Sequence, residues 1–349
     1  MDIEEKLNLF YKRPTEEIVS RERLISLLET NFSLKHYIGF EISGMAHLGT
    51  GLSTAIKIRD LIEAGVRPTI FLADYHSWIN KKLGGNLELI QKIAAGYFKA
   101  VFVSLGLSEE KVSYVLASSI YDNEYWKRVI EIGNNATLSR VKRAMTIMGR
   151  EESDSSPASF VLYPLMQTAD IFHMDVDIVH AGMDQRKVHM LAIDVAEKLS
   201  LKKPVALHTH LLPSLKGNER MGPFAKMSKS IPDSAIFVHD DEETIKRKIM
   251  NAHCPAKETE GNAVFEIMKW LIYREDNEIV KIMRPDKFGG DIEETFLKVG
   301  EMYKNGEIHP LDIKNHVAQK LVDILSPVRN YFEKNKHYLE DLKSLKTTR

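Results

Sequence analysis

The chain has almost no cysteine: Cys254 stands alone among 349 residues. That excludes an internal disulfide framework and a zinc site built from several cysteines, and it suits a reducing compartment. No apolar run approaches the ~18–20 residues that a membrane helix needs. The N-terminus opens acidic, Asp2-Ile3-Glu4-Glu5, without the basic and then apolar stretch of a signal peptide. Neither charge is in excess: 48 Lys and Arg face 49 Asp and Glu, a net charge of −1. Any contact with nucleic acid must therefore come from a local patch. Internal repeats and low-complexity tracts are also missing. What remains, 44% hydrophobic and 28% charged, is the composition of an ordinary globular protein of two or so domains. The expectation is a cytoplasmic protein that neither enters a membrane nor holds a metal of its own.

Two short motifs stand out. Lys226-Met227-Ser228-Lys229-Ser230 follows Gly222-Pro223 and precedes Pro232, which predicts a loop. Far upstream, His47-Leu48-Gly49-Thr50 falls where a strand gives way to a helix. Gly49 would let a ligand approach the backbone, and a helix N-terminus favours phosphate. In order and separation the pair resembles the two ATP-binding signatures of class I aminoacyl-tRNA synthetases. Their chemistry is attack of an amino-acid carboxylate on the α-phosphate of ATP with loss of pyrophosphate. Lys226 and Lys229, as flexible point charges, would clamp the negative charge that builds on the phosphates.

Strand-like and helical segments alternate up to about residue 235. Residues 37–40, 69–73, 112–117, 177–180 and 205–212 read as strands; 51–64, 87–105, 124–149 and 183–199 read as helices. This βαβ alternation predicts an α/β fold, a Rossmann-like parallel sheet covered by helices. After the Lys226 loop, Asp240-x-x-Glu243 resembles a cap for a helix over 245–252. From about 262 onward only helices are expected: 264–273, 293–304 and 311–333. The division is thus a catalytic domain over 1–235 and a smaller all-α domain over 236–349.

In Tyr163-Pro164-Leu165-Met166-Gln167-Thr168-Ala169-Asp170 the polar residues recur at i, i+4 and i+7. That spacing sets Tyr163, Gln167 and Asp170 on one face of a helix. Pro164 is tolerated in the first turn. The opposite face is uncharged, so the helix is expected to be buried, and a buried carboxylate needs a partner.

With these residues, Tyr37-Ile38-Gly39-Phe40-Glu41, the segment His180 to Lys187, Lys287-Phe288-Gly289-Gly290-Asp291 and His309-Pro310-Leu311-Asp312, the chain resembles the archaeal-type tyrosyl-tRNA synthetases over nearly its whole length. The resemblance implies a tyrosine–tRNA ligase. Such an enzyme makes tyrosyl-adenylate and pyrophosphate from tyrosine and ATP with its accompanying Mg2+. It then passes the tyrosyl group to the 3' end of tRNA(Tyr). It implies that Tyr37 and Asp170 meet the substrate phenol, and that Tyr163, Gln167 and Gln185 hold its ammonium and carboxylate end. Gly39, Gly182 and Asp184 would lie along the nucleotide, with Asp184 on the ribose. His47, Gly49 and the loop residues Lys226, Met227, Ser228, Lys229 and Ser230 would surround the phosphates. Arg143, Arg186 and Lys187 would hold the tRNA acceptor end, while Phe288 would stack on the first anticodon base and Asp312 accept from its edge. A homodimer is implied, with residues 120–150 supplying the interface.

Two positions depart from the family pattern. Thr50 stands where a second histidine is common, and its hydroxyl is a substitute donor. Lys229 stands where archaeal relatives often carry serine. The rivals are a tryptophan–tRNA ligase of the same subclass, a small-molecule nucleotidyltransferase, and a catalytically silent RNA-binding relative. The third would not need the intact Lys226 loop, and the second would not need the helical domain.

Overall fold

The computed structural model describes residues 1–30, 33–149, 157–217, 227 and 232–343. The chain opens with helix α1 (Ile3–Tyr11), strand β1 (Thr15–Val19) and helix α2 (Arg21–Glu29). Strand β2 (Lys35–Phe40), helix α3 (Thr54–Glu63) and strand β3 (Arg67–Leu72) form the first βαβ unit. Helices α4 (Asp74–Ile79), α5 (Leu87–Ile93) and α6 (Lys99–Ser104) lead to strand β4 (Ser113–Leu116). Helices α7 (Asn123–Asn135), α8 (Leu138–Ala144) and α9 (Leu162–His173) precede strand β5 (Ile178–Gly182), and helix α10 (Arg186–Lys198) leads to strand β6 (Val205–Thr209).

The six strands form one sheet in the order β1-β6-β5-β2-β3-β4. From β6 to β4 every pairing is parallel, as the alternation predicts. The edge strand β1 runs antiparallel to β6 and lies outside the expected set. Its sequence, Thr-Glu-Glu-Ile-Val, has no apolar run to announce it. The helix expected over 87–105 is broken by a π-turn at Ala94–Phe98 between α5 and α6.

The remaining elements are α11 (Glu242–Met250), α12 (Ala263–Ile267), β7 (Ile279–Ile282), β8 (Ile292–Thr295), α13 (Phe296–Asn305), α14 (Pro310–Lys334) and α15 (His337–Lys343). The expectation of helices alone after 262 is thus corrected by the antiparallel pair β7–β8. Residues 293–295 end β8 rather than start a helix. Four-residue strands are too short for their period to declare itself. The turn between them carries the better signal, Gly289 and Gly290, with φ of 99° and 72°. The cap of α11 is Asp241, which accepts from the Thr244 amide at 2.7 Å. Asp240 instead accepts from the Phe237 amide and from Lys248.

One hydrophobic cluster joins Ile38, Ile70 and Leu72 of the sheet to Val264, Leu321 and Phe332 of the later helices. Arg13 adds a tie, donating from Nε to the Arg274 carbonyl at 2.8 Å and pairing with Asp276 at 2.8 Å. Helix α9 is buried from Tyr163 to Ile171. Leu165, Met166 and Ile171 anchor it, each contributing about 1.5–3 kcal/mol by burial. A helix buried on nearly all sides must aim its polar residues at other protein groups or at a cavity, and this places the site.

Candidate active site

A cavity of about 520 Å³ opens at the carboxyl ends of the parallel strands. This is where open α/β sheets receive ligands. Tyr37 and Gly39 of β2, His47, Gly49 and Thr50 after it, Tyr163, Gln167 and Asp170 of α9, Gly182, Asp184 and Gln185 after β5, and Met227 all line it. Residues far apart in the chain are thus gathered around one cavity. Lys226, Ser228, Lys229 and Ser230 lie outside the described residues.

At the deep end Asp170 is fully buried. Its Oδ1 accepts from the hydroxyls of Tyr121 at 2.9 Å and Tyr125 at 3.0 Å, two rings stacked 3.8 Å apart. Burial pushes the Asp170 carboxyl up to about 8, against the lowering effect of the hydrogen bonds from Tyr121 and Tyr125 and of the nearby Tyr37 hydroxyl. Burial and the nearby Asp170 charge likewise push the Tyr37 hydroxyl well above its ordinary value. Asp170 Oδ2 has no hydrogen bond, and neither has His76 Nε2, 3.7 Å away. Burial brings His76 down to about 3, so its ring is neutral. Gln167 Oε1 is a further buried acceptor without a partner. Buried polar atoms left open are costly, about 1–3 kcal/mol each, and here they border one cavity.

Midway along the cavity, Tyr163 donates to Glu41 Oε1 at 3.0 Å, and Asn80 donates to the same oxygen at 2.6 Å. Lys82 meets the other Glu41 oxygen at 3.2 Å. Gln167 donates to Gln185 at 3.4 Å, and Gln185 donates to the Ile147 carbonyl at 3.0 Å. A side chain would be crowded at two lining glycines. A Cβ on Gly39 would sit 2.6 Å from the Tyr37 hydroxyl, and one on Gly182 would sit 2.7 Å from Leu211.

At the open end His47 lies on a short strap. Leu48 N donates to the Ile236 carbonyl and Val238 N to the Ala46 carbonyl, both at 3.0 Å. His47 Nδ1 accepts from the Gly49 amide at 3.1 Å, and Nε2 lies 3.1 Å from Thr50 Oγ1. Because Nδ1 accepts, a neutral ring carries its proton on Nε2 and donates it to Thr50. The helix that follows starts with a π-turn, Gly49–Ser53, before α3. Met227 is buried, and its amide donates to the Leu212 carbonyl at 3.1 Å.

The basic residues assigned to tRNA do not line this cavity. Arg143 is exposed at the end of α8. Lys187 donates to Thr146 Oγ1 at 3.0 Å. Arg186 is bound to Glu17 of β1 at 2.7 Å. Phe288 is 61% exposed, with Lys287 Nζ 4.9 Å from its ring centroid. Asp312 sits in the first turn of α14 and accepts from the His309 amide at 3.3 Å, so it also caps that helix.

The sequence reading did not single out His76, Tyr121 and Tyr125, and it left Glu41 without a role. The expected burial of Asp170 called for partners, but their identity depends on how α4 and α7 pack against α9. Among the described residues no cluster of His, Cys, Asp and Glu could hold a metal ion, and no helix is long and apolar enough to cross a membrane.

Comparison with known proteins gives the family. Residues 29–326 match the family described as tRNA synthetases class I (W and Y). The tyrosine–tRNA ligases of Thermococcus kodakarensis and Pyrococcus abyssi are each 48% identical over 375 residues, covering 100% of both chains. The crystal structure of a tyrosyl-tRNA synthetase complexed with L-tyrosine from Pyrococcus horikoshii superimposes with a TM-score of 0.93 at 46% identity. The alignment covers 99% of this chain and 100% of that one.

Proposed function

The chain belongs to the class I tRNA synthetases that serve tryptophan and tyrosine, and from that premise we infer that it is a tyrosine–tRNA ligase. The observation that carries the choice of tyrosine is the open acceptor Asp170 Oδ2, buried beside Tyr37 and His76 at the closed end of the cavity. A phenolic hydroxyl entering ring first would donate to it. A substrate without that hydroxyl would leave the acceptor buried and open. The ammonium group of the substrate would then reach the Glu41 carboxylate and Gln167 Oε1, with Tyr163 and Gln185 framing them.

This pose turns the substrate carboxylate toward His47 and Thr50. One of its oxygens attacks the α-phosphorus of ATP, the bond to the pyrophosphate oxygen breaks, and tyrosyl-adenylate forms. Thr50, accepting from His47, keeps its own hydroxyl proton to donate to a phosphate oxygen. Asp184 would take the ribose, and Gly39, Gly49 and Gly182 would let the nucleotide lie close. Lys226 and Lys229, with Met227, Ser228 and Ser230 in the same loop, would hold the departing pyrophosphate, and Mg2+ arrives with ATP as part of the substrate. A terminal hydroxyl of tRNA(Tyr) then attacks the tyrosyl carbonyl carbon and AMP leaves.

On this reading residues 1–235 carry both chemical steps and the acceptor end, contacted by Arg143, Arg186 and Lys187. Residues 236–349 read the anticodon through Phe288 and Asp312. The exposed ring of Phe288 supports a stacking role. A cytoplasmic homodimer is part of the proposal. Trp126 and Ile130 of α7 and Leu138 of α8 are exposed apolar residues, 37%, 64% and 59% accessible, inside the 120–150 region.

ATP–pyrophosphate exchange with each of the twenty amino acids tests the first half. Tyrosine alone should support it, and exchange driven by tryptophan would overturn the assignment. For the second half, Phe288→Ala should weaken tRNA binding by about 1–3 kcal/mol and leave pyrophosphate exchange and melting temperature near those of the parent. Parallel loss of exchange and aminoacylation would remove Phe288 from the tRNA surface.

A further inference from the structure

Tyr97 lies outside the cavity, in the π-turn between α5 and α6, and is 1% exposed. A π-turn inserted in a helix is uncommon and often marks a functional position. The Tyr97 hydroxyl accepts from the amide of Ala46 at 2.9 Å. Ala46 is itself fully buried and immediately precedes His47. The same hydroxyl lies 3.3 Å from His239 Nδ1. His239 follows the segment that pairs with the His47 strap, and burial lowers its ring to about 4, so the ring is neutral and its Nδ1 can accept the hydroxyl proton. One hydroxyl therefore joins both strands of the strap, accepting from one and donating to the other. Its ring is fixed in turn by His239, edge-on at 5.7 Å, and by Phe332 of α14 at 5.7 Å.

We propose that Tyr97 is a positioning residue for amino-acid activation: its hydroxyl sets the Ala46–Leu48 strap and, through it, where His47 and Thr50 meet the nucleotide. This rests on the reading of His47 as a nucleotide-contacting residue. The tyrosine end of the cavity is built on β2, α4, α7 and α9, and none of its residues takes part in this bond. An effect transmitted through the strap therefore falls on the rate and spares the binding of tyrosine.

Tyr97→Phe keeps the ring and deletes only the bond. The expected result in pyrophosphate exchange is a kcat lower by about tenfold, with the KM for tyrosine unchanged and the melting temperature close to that of the parent. In a His47→Ala background the same substitution should have little further effect, because both act at one place. An unaltered kcat, a KM for tyrosine that rises in step, or an equal loss in the His47→Ala background would each overturn the proposal. His47→Ala alone separates the two failures. If it leaves kcat intact, the nucleotide role of His47 falls. If it lowers kcat while Tyr97→Phe does not, only the role of Tyr97 falls. Should Tyr97→Phe fail to fold, His239→Phe keeps the aromatic surroundings but removes the acceptor that aims the hydroxyl. A smaller, equally selective fall in kcat is then expected, and an unchanged kcat overturns the proposal.

Discussion

The two ends of the cavity are built on different principles. At the end proposed to take tyrosine, Tyr37, His76, Tyr163 and Asp170 are 2%, 2%, 5% and 0% exposed, and each is held by side chains from other elements. At the end proposed to take the nucleotide, His47, Gly49, Thr50 and Asp184 are only half-buried, and backbone hydrogen bonds place the strap. The first arrangement suits discrimination. Its polar groups have lost water before any ligand arrives, so a wrong ligand leaves them unpaired. The second suits a reacting centre, where donors must be aimed at charge that appears only in the transition state.

The contrast breaks most visibly at Asp170. Asp170→Asn can still accept from Tyr121 and Tyr125 with its remaining oxygen, but it then turns an NH2 donor toward the phenol. Tyrosine activation should fall by about 100-fold or more in kcat/KM, while the KM for ATP stays within a small factor. A variant that activates tyrosine as well as the parent would remove Asp170 from the phenol. A smaller effect is expected for Tyr125→Phe, which deletes one of the two tethers on Asp170 Oδ1. About tenfold in the KM for tyrosine, with kcat at saturation little changed, would mark a binding defect. At the other end Thr50→Val should do the reverse, lowering kcat by roughly fivefold to tenfold with the KM for tyrosine unaltered. Thr50→His, restoring the commoner residue, should be tolerated. A threonine-to-valine variant at full rate would mean that His47 acts without it.

Much of this was legible in the chain, for reasons that vary by residue. The parallel sheet followed from buried strands separated by helical spans. The i, i+4, i+7 spacing of Tyr163, Gln167 and Asp170 needed only the helical period, and α9 carries all three toward one cavity. The partners of Asp170 were not legible. Tyr121 and Tyr125 lie 49 and 45 residues away, and their approach depends on α7 packing against α9. The pair β7–β8 escaped because four residues do not display a period, and β1 because its five residues set two adjacent glutamates before only two apolar residues. Asp312 shows a further limit. Its place beside His309-Pro310 was read for a base, yet the same carboxylate completes the cap of α14. A loss on changing it would mix capping with recognition, which makes Phe288 the cleaner probe.

The last test leaves the chemistry alone and reads only stability. Burial raises the Asp170 carboxyl from the usual 3.8 to about 8 in the folded protein. Between those values the folded chain keeps a proton that the unfolded chain has already released. Unfolding there releases a proton, so rising pH favours the unfolded state. The contribution of Asp170 is therefore fully present below about 4 and is lost as pH rises through about 8. The buried histidines act in the opposite sense. His36 and His76 are lowered from 6.5 to about 3, so their contribution is present above about 6.5 and lost as pH falls. A profile of the parent alone sums both limbs. Subtracting it from Asp170→Asn cancels the histidines, which the two proteins share. The melting temperature of the variant relative to the parent should climb from pH 5 to about pH 8 and then level off. Saturating tyrosine should flatten that climb, because a phenol donating to Oδ2 stabilises the ionised carboxylate and lowers its pKa. A difference that does not depend on pH would show that Asp170 is already ionised in the free protein. The tyrosine end would then differ from the nucleotide end in geometry but not in the strain of a buried charge.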